Sequence, residues 1–183
     1  MKEAGPDTDR GPFVHTWTGG LFYLTNPRPE EVFIEDIAHS LSLQCRFNGH
    51  IEEHYSVAEH SIMVSNIVEE ETKDAQLALT ALLHDSAEAY LGDVVSPLKK
   101  LLPEYRRYEV LVETCIARRF SLVYPFPDVI HAADKKALEH EFLFLPPFIE
   151  DGYPICPLLP KSAEKAFLAR YLTLLGHANG VQE

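Results

Sequence analysis

Apolar residues recur along this chain at intervals of three and four and almost nowhere at intervals of two, which confines the fold to packed helices. Start signals accompany the intervals. Pro29, Glu30 and Glu31 open a segment with Ile34, Ile37, Ala38, Leu41 and Cys45 at helical spacing. Ser56-Val57-Ala58-Glu59 is a capping-box pattern ahead of a run reaching residue 71. Asp74 caps a helix predicted to carry Leu77, Ala78, Ala81 and Leu82 through to Leu91 and to close at Gly92. Ser96-Pro97 starts a short helix, and Pro103 precedes a long one over 103–120. Pro127-Asp128 opens another with Ile130, Ala133, Ala137, Leu138 and Glu141, and a last helix covers 163–175. Only Gly20-Leu21-Phe22-Tyr23-Leu24 alternates, predicting a small hairpin with Trp17. The expected class is mainly α: one helical bundle over 13–183 with a short N-terminal β-hairpin, preceded by a flexible polar tail over 1–12.

The 183 residues suffice for one domain with a hydrophobic core, and 46% hydrophobic with 24% charged residues is the composition of a soluble globular protein. No apolar run approaches the roughly 20 residues of a membrane span. The N-terminal MKEAGPDTDR has no apolar signal core. The three cysteines, Cys45, Cys115 and Cys156, form no Cys-x-x-Cys pair, which favours free thiols in a reducing cytoplasm. A formal net charge of −12 opposes binding to a nucleic acid polymer. A small anionic substrate remains compatible where metal ions, Arg and Lys gather positive charge locally.

Within the third helical run, Leu79-Thr80-Ala81-Leu82-Leu83-His84-Asp85 places a histidine and an aspartate together at the end of an apolar stretch. Neighbouring helical residues point about 100° apart. A long imidazole and a short carboxylate can still converge on one ion, and divalent metals accept that donor mixture. Further ligands must come from other helices; His60, after the capping box, and Asp134, in Ala132-Ala133-Asp134, are the candidates. Each alone has an ordinary explanation, as a hydrogen-bonded core histidine or a helix-surface acid. Their order together with Glu88 and Asp93 points to a site. Glu88 stands four residues after His84, on the same helical face, where it could transfer a proton. Asp93 follows Gly92, where the helix is expected to end and a carboxylate can turn back into the cleft.

Four separated blocks now carry a resemblance: Ile34-Glu35-Asp36-Ile37-Ala38-His39-Ser40-Leu41-Ser42 with Cys45-Arg46-Phe47-Asn48-Gly49-His50; Tyr55-Ser56-Val57-Ala58-Glu59-His60-Ser61; Ala81-Leu82-Leu83-His84-Asp85-Ser86-Ala87-Glu88-Ala89-Tyr90-Leu91-Gly92-Asp93; and His131-Ala132-Ala133-Asp134. In this order they resemble the HD-domain phosphohydrolases, in the branch of small helical nucleotide hydrolases of phages and bacteria. The resemblance covers residues 16–140. It implies His60, His84, Asp85 and Asp134 as metal ligands, Glu88 as catalytic acid/base, and Asp93 near a second metal or the leaving sugar oxygen. It implies Arg46 as the arginine that grips phosphate, for which a bidentate guanidinium is suited. Phe47 stands where bacterial 5'-deoxynucleotidases carry a tryptophan that disfavours a ribose 2'-OH, and the smaller ring puts strict exclusion of ribonucleotides in doubt. His50, His54, Lys99 and Lys135 are candidate phosphate contacts, and Trp17, Phe47 and Tyr90 are candidates to stack on a base.

The resemblance implies a divalent ion (Zn, Mn, Co or Fe, with a second ion such as Mg allowed), a deoxynucleotide substrate and a cytoplasmic setting, that of the host if the chain is phage-encoded. Two reactions fit: release of triphosphate from a dNTP such as dATP, favoured by the phage-like N-terminal and 45–50 blocks, or release of orthophosphate from a dNMP. A non-catalytic nucleotide-binding regulator is disfavoured, because ligands and acid are all retained. Gly152-Tyr153-Pro154 is similar to the motif of HD-GYP cyclic-dinucleotide phosphodiesterases, but it follows Asp134 in a proline-rich loop and reads as a turn. Phe142, Phe144, Phe148 and Tyr153 near those prolines suggest a homo-oligomer contact or a covering loop.

Overall fold

The computed structural model describes residues 7–142 and 157–178. Helices α1 (Ile34–Leu43), α2 (Val57–Thr72), α3 (Ala75–Leu82), α4 (Glu88–Leu91), α5 (Ser96–Lys99), α6 (Pro103–Phe120), α7 (Asp128–Glu141) and α8 (Pro160–Ala178) make the body, and β1 (Phe13–His15) pairs antiparallel with β2 (Leu21–Tyr23). The mainly α reading with an N-terminal hairpin is therefore correct. Phe13 faces Tyr23, Val14 faces Phe22 and His15 faces Leu21. The connecting turn needs Gly19 at φ +88, a conformation that side chains disfavour. The tip is held from below: Asp36 accepts from the Thr18 amide at 2.7 Å and from its hydroxyl at 3.0 Å. Phe144, Phe148, Tyr153 and the Gly152-Tyr153-Pro154 turn lie outside the described residues, as does Cys156.

Helix α2 lies at the centre, against α1, α3, α7 and α8, and α8 also packs on α1 and α3. The larger core joins Phe22, Ile37, Leu41, Leu79, Leu82, Val112, Ile116, Phe167 and Leu174, all essentially without exposed surface. A smaller core joins Val64 and Val68 of α2 to Ile130, Ala133 and Ala137 of α7. Both clusters include residues of α2. No described helix is long and apolar enough to cross a membrane.

Local signals place the helix starts. The capping box is complete: Ser56 Oγ accepts from the Glu59 amide, and Glu59 returns a bond to the Ser56 amide at 3.0 Å. Ser56→Ala is expected to cost about 1 kcal/mol of stability. Urea denaturation read by circular dichroism checks this, and an unchanged midpoint would show that packing alone sets the start of α2. Asp74 caps α3 through the amides of Gln76 and Leu77. Proline opens α5, α6 and α8.

Three expectations change. The helix predicted from Asp74 to Leu91 is broken. α3 stops at Leu82, residues 83–87 run as turns, and α4 begins at Glu88. The Ala81 carbonyl, which a continuing helix would offer to the Asp85 amide, instead accepts from the His84 ring at 2.8 Å. The segment opened by Pro29 is likewise split, into a 3-10 turn (Pro29–Glu31) and α1. Val32 lies between them, fully buried, its carbonyl taken by Arg119 of α6 at 3.0 Å. Side-chain contacts accompany both interruptions, a local one from the His84 ring and a tertiary one from Arg119. The N-terminal residues from Asp7 onward are docked where a polar tail was expected to continue to residue 12. Arg10 is buried, its guanidinium lies 3.9 Å from the centre of the Tyr23 ring, and it pairs with Glu31 and the Asn26 carbonyl. A buried guanidinium needs acceptors, and the 3-10 turn supplies one.

Candidate metal centre

Three elements bring the predicted ligands together. His60 sits on the first turns of α2, fixed by the capping box, and Asp134 sits on α7. His84 and Asp85 sit in the break after α3. Leaving helical geometry there lets both side chains face the same point, so the 100° separation expected of helical neighbours does not hold. His60 Nε2 lies 3.1 Å from Asp134 Oδ1 and 3.6 Å from Asp85 Oδ2, and His84 Nε2 lies 3.2 Å from that same Asp85 oxygen. Donor atoms of His60, His84 and Asp134 fall within 4.8 Å of one another, a group able to hold a metal ion. Asp85 stands outside that trio but beside both imidazoles.

The donor chemistry fits a cation. His60 donates its Nδ1–H to Glu141 at 2.6 Å, because an ionised carboxylate can only accept. His84 donates its Nδ1–H to the Ala81 carbonyl. With each Nδ1–H engaged, Nε2 is the nitrogen of each ring left to ligate an ion that displaces its proton. Both Nε2 atoms are buried and have no hydrogen-bond partner. Ligands about 2.0–2.1 Å from one tetrahedral ion stand roughly 3.3 Å apart. The contacts of 3.1, 3.2 and 3.6 Å bracket that spacing.

The electrostatics agree. Burial alone would push Asp85 up, yet His84, His60 and Arg46 outweigh it and hold the carboxylate well below the usual range. Asp134 is held down in the same way, with burial opposing and the adjacent His60 ring prevailing. Burial would lower His84, but the adjacent Asp85 pushes it up to about 9. The cluster thus demands positive charge between its carboxylates, from a proton or from a metal ion.

Around the centre stand the other predicted residues. Glu88 is buried but not by the route expected. The helix is interrupted between it and His84, and Glu88 is instead the first residue of α4. Burial, with the Asp85 and Asp93 charges adding, pushes its carboxyl up to about 9. Its Oε2 is buried without a hydrogen-bond partner. Lys99 lies 3.2 Å from Glu88 Oε1 and 2.7 Å from Glu109, so this lysine is engaged by two carboxylates and does not stand free for phosphate. Asp93 is partly buried and feels both Arg46 and Asp85, with burial pushing its carboxyl up. Arg46 bonds Glu141 at 2.7 Å and faces the Asp85 and Asp93 charges.

The remaining candidates have other contacts. Trp17 is exposed and stacks on His39 at 3.9 Å between ring centres, over a groove of about 500 Å³ that also touches Ser40, Gln44 and Tyr90. Tyr90 packs on Phe22 in the core. Phe47 stays beside Arg46 and 5.9 Å from Phe142, in a left-handed conformation at φ 56. His50 is exposed after that turn, and the His54 ring carries a buried, unpartnered Nδ1. Lys135 is exposed and pairs with Glu139 at 3.6 Å.

Three residues that build the site went unnoticed as candidates. Glu141 bridges His60 and Arg46. Glu109 anchors Lys99 with help from Arg106. Gln44 ties α4 at both ends, donating to the Glu88 carbonyl at 3.0 Å and accepting from the Asp93 amide at 2.8 Å. The acids did leave a signal: Glu141 continues the buried stripe Ile130, Ala133, Ala137, and Glu109 interrupts that of Val112 and Ile116. Gln44 left none.

Comparison with known proteins adds kinship. No family model matches the chain. It is 34% identical over 173 residues to the uncharacterized protein YfdR of Escherichia coli K12, covering 87% of this chain and 93% of that one. It is 35% identical over 127 residues to the uncharacterized protein RCAP_rcc00048 of Rhodobacter capsulatus, covering 67% of this chain and 63% of that protein. With identity at that level across nearly the whole of both chains, this protein belongs to the same family as YfdR.

Proposed function

We propose that this chain is an HD-type, metal-dependent phosphohydrolase of deoxynucleotides, releasing triphosphate from a dNTP such as dATP. The observation that supports it most is the pair of buried, unpartnered Nε2 atoms converging with Asp134 and Asp85 beside the buried Glu88. His60, His84, Asp134 and Asp85 would hold the ion. When bound, a divalent ion supplies Lewis acidity and a water acidic enough to attack phosphorus near neutral pH.

The other residues account for the rest of the chemistry. Cleavage of a dNTP to nucleoside and triphosphate breaks the bond between the α-phosphorus and the 5'-oxygen. The sugar oxygen leaves as an alkoxide and needs a proton. Glu88 can supply one, and Oε2 has no competing partner. Arg46 keeps a buried Nε–H without an acceptor, a donor suited to a phosphoryl oxygen. The resemblance of the motif order supports the nucleotide class, and Phe47 in place of a tryptophan does not by itself select deoxyribose. Release of orthophosphate from a dNMP breaks the same bond, so the two reactions differ in how many phosphates the site admits.

Phosphorus NMR of the protein with Mn, Co or Zn and each deoxynucleotide tests this. Free triphosphate from dATP is the expected product. Orthophosphate from dAMP would move the assignment to a 5'-deoxynucleotidase. No hydrolysis of any deoxynucleotide would remove the reading altogether.

A further inference from the structure

Glu141 is a carboxylate with no exposed surface. Its two oxygens go to two different elements. Oε1 accepts from His60 Nδ1 at 2.6 Å, and Oε2 accepts from Arg46 at 2.7 Å. Burying an ionised carboxylate is unfavourable unless it is paired and hydrogen-bonded, and here a guanidinium and a ring N–H each take one oxygen. The arrangement has a consequence at the far side of each partner. On His60, occupation of Nδ1–H leaves Nε2 as the lone pair aimed at Asp134 and Asp85. On Arg46, one terminal nitrogen is held while Nε remains buried and without a partner. One side chain therefore orients a metal ligand and an anion receptor together.

We propose that Glu141 is a positioning residue that fixes His60 as an ion ligand and Arg46 as a phosphate receptor; the proposal rests on the phosphohydrolase reading. An amide in its place can accept from only one of the two partners. If its NH2 faces His60, the ring must accept at Nδ1 and carry its proton on Nε2, where it cannot ligate. If its oxygen faces His60, the NH2 opposes the Arg46 guanidinium.

Cobalt is the probe, because its visible spectrum reports the ligand field. Titration of Glu141→Gln is expected to show cobalt affinity about 10–100-fold weaker than wild type, with an altered spectrum. Inorganic phosphate, titrated at saturating cobalt, is expected to bind more weakly as well. Glu141→Asp restores the charge on a stem one methylene shorter, and is expected to recover part of the cobalt affinity. A purely structural carboxylate would show no such graded recovery. Unchanged cobalt affinity in a folded Gln variant overturns the His60 half, and unchanged phosphate affinity overturns the Arg46 half. Should the Gln variant fail to fold, Glu141→Asp against wild type gives the same two comparisons. A wild-type protein that takes up no cobalt overturns the metal-centre reading itself, and is distinguished by that control.

Discussion

Replacing Asp85 by alanine is expected to remove turnover and metal-induced stabilisation together, while leaving a folded helical protein. The Asp85 oxygen lies within 3.6 Å of both ligating nitrogens, and its negative charge is what the two imidazoles and Arg46 hold in place. Without it, the charge that concentrates a cation between His60 and His84 falls by one unit, and one donor is lost. Residues that act as a unit give losses on the order of 10^4-fold when one is removed. The fold is expected to survive. Asp85 sits in a turn, its side chain is 21% exposed, and neither hydrophobic cluster includes it. Two measurements check the expectation. Cobalt at about 100 times its dissociation constant should stabilise wild type by about 2.7 kcal/mol. For a chain of this size that is a rise in melting temperature of roughly 5–11 °C. Asp85→Ala should show neither this rise nor hydrolysis. Full activity with unchanged metal content would refute the ligand assignment.

Glu88→Gln is expected to lower turnover by about 10²–10⁴-fold while cobalt affinity stays near that of wild type. Glu88 contacts Lys99, whereas Asp85 lies beside both imidazoles, so the two effects separate. Glutamine keeps the shape and can accept from Lys99, but it has no proton to give to a leaving oxygen. The pH profile carries the sign. Burial raises the Glu88 carboxyl to about 9, so the donating form is present below that value and is lost as pH rises through it. A bound cation lowers the limit, so the alkaline fall in wild-type rate belongs at or below about 9. That limb should vanish in Glu88→Gln. A variant within about threefold of wild type, with its alkaline limb intact, would remove Glu88 from the chemistry.

Gln44 and Glu109 connect these results to the scaffold. Gln44 joins the end of α1 to both ends of α4 and thereby holds Glu88 and Asp93 in place. Glu109 holds Lys99 against Glu88, with Arg106 behind it. The Lys99 charge favours ionised Glu88, yet burial and two nearby carboxylates prevail. The acid is therefore tuned by residues on α6, which the sequence motifs do not include.

Much of this was legible in the sequence because the deciding interactions are local. A capping box spans four residues, and proline at a helix start acts through its own ring. Apolar spacing of three and four buries a stripe whatever it packs against. That is why Ser56, Asp74, Pro103 and the stripe from Ile130 to Ala137 mark their helices correctly, and why the hairpin around Leu21–Tyr23 was foreseeable. The donor types at His60, His84, Asp85 and Asp134 were legible too. What the chain alone left open was set by contacts between distant segments. The break after Leu82 turns Asp85 toward His60, a residue of another helix. Trp17 lies on His39, next to a hairpin tip fastened to Asp36. Glu141 reaches partners 81 and 95 residues away. A buried charge must find its counter-charge wherever packing brings one. Sequence spacing therefore determined which groups could bind an ion, and only the tertiary structure decided which carboxylate orients them.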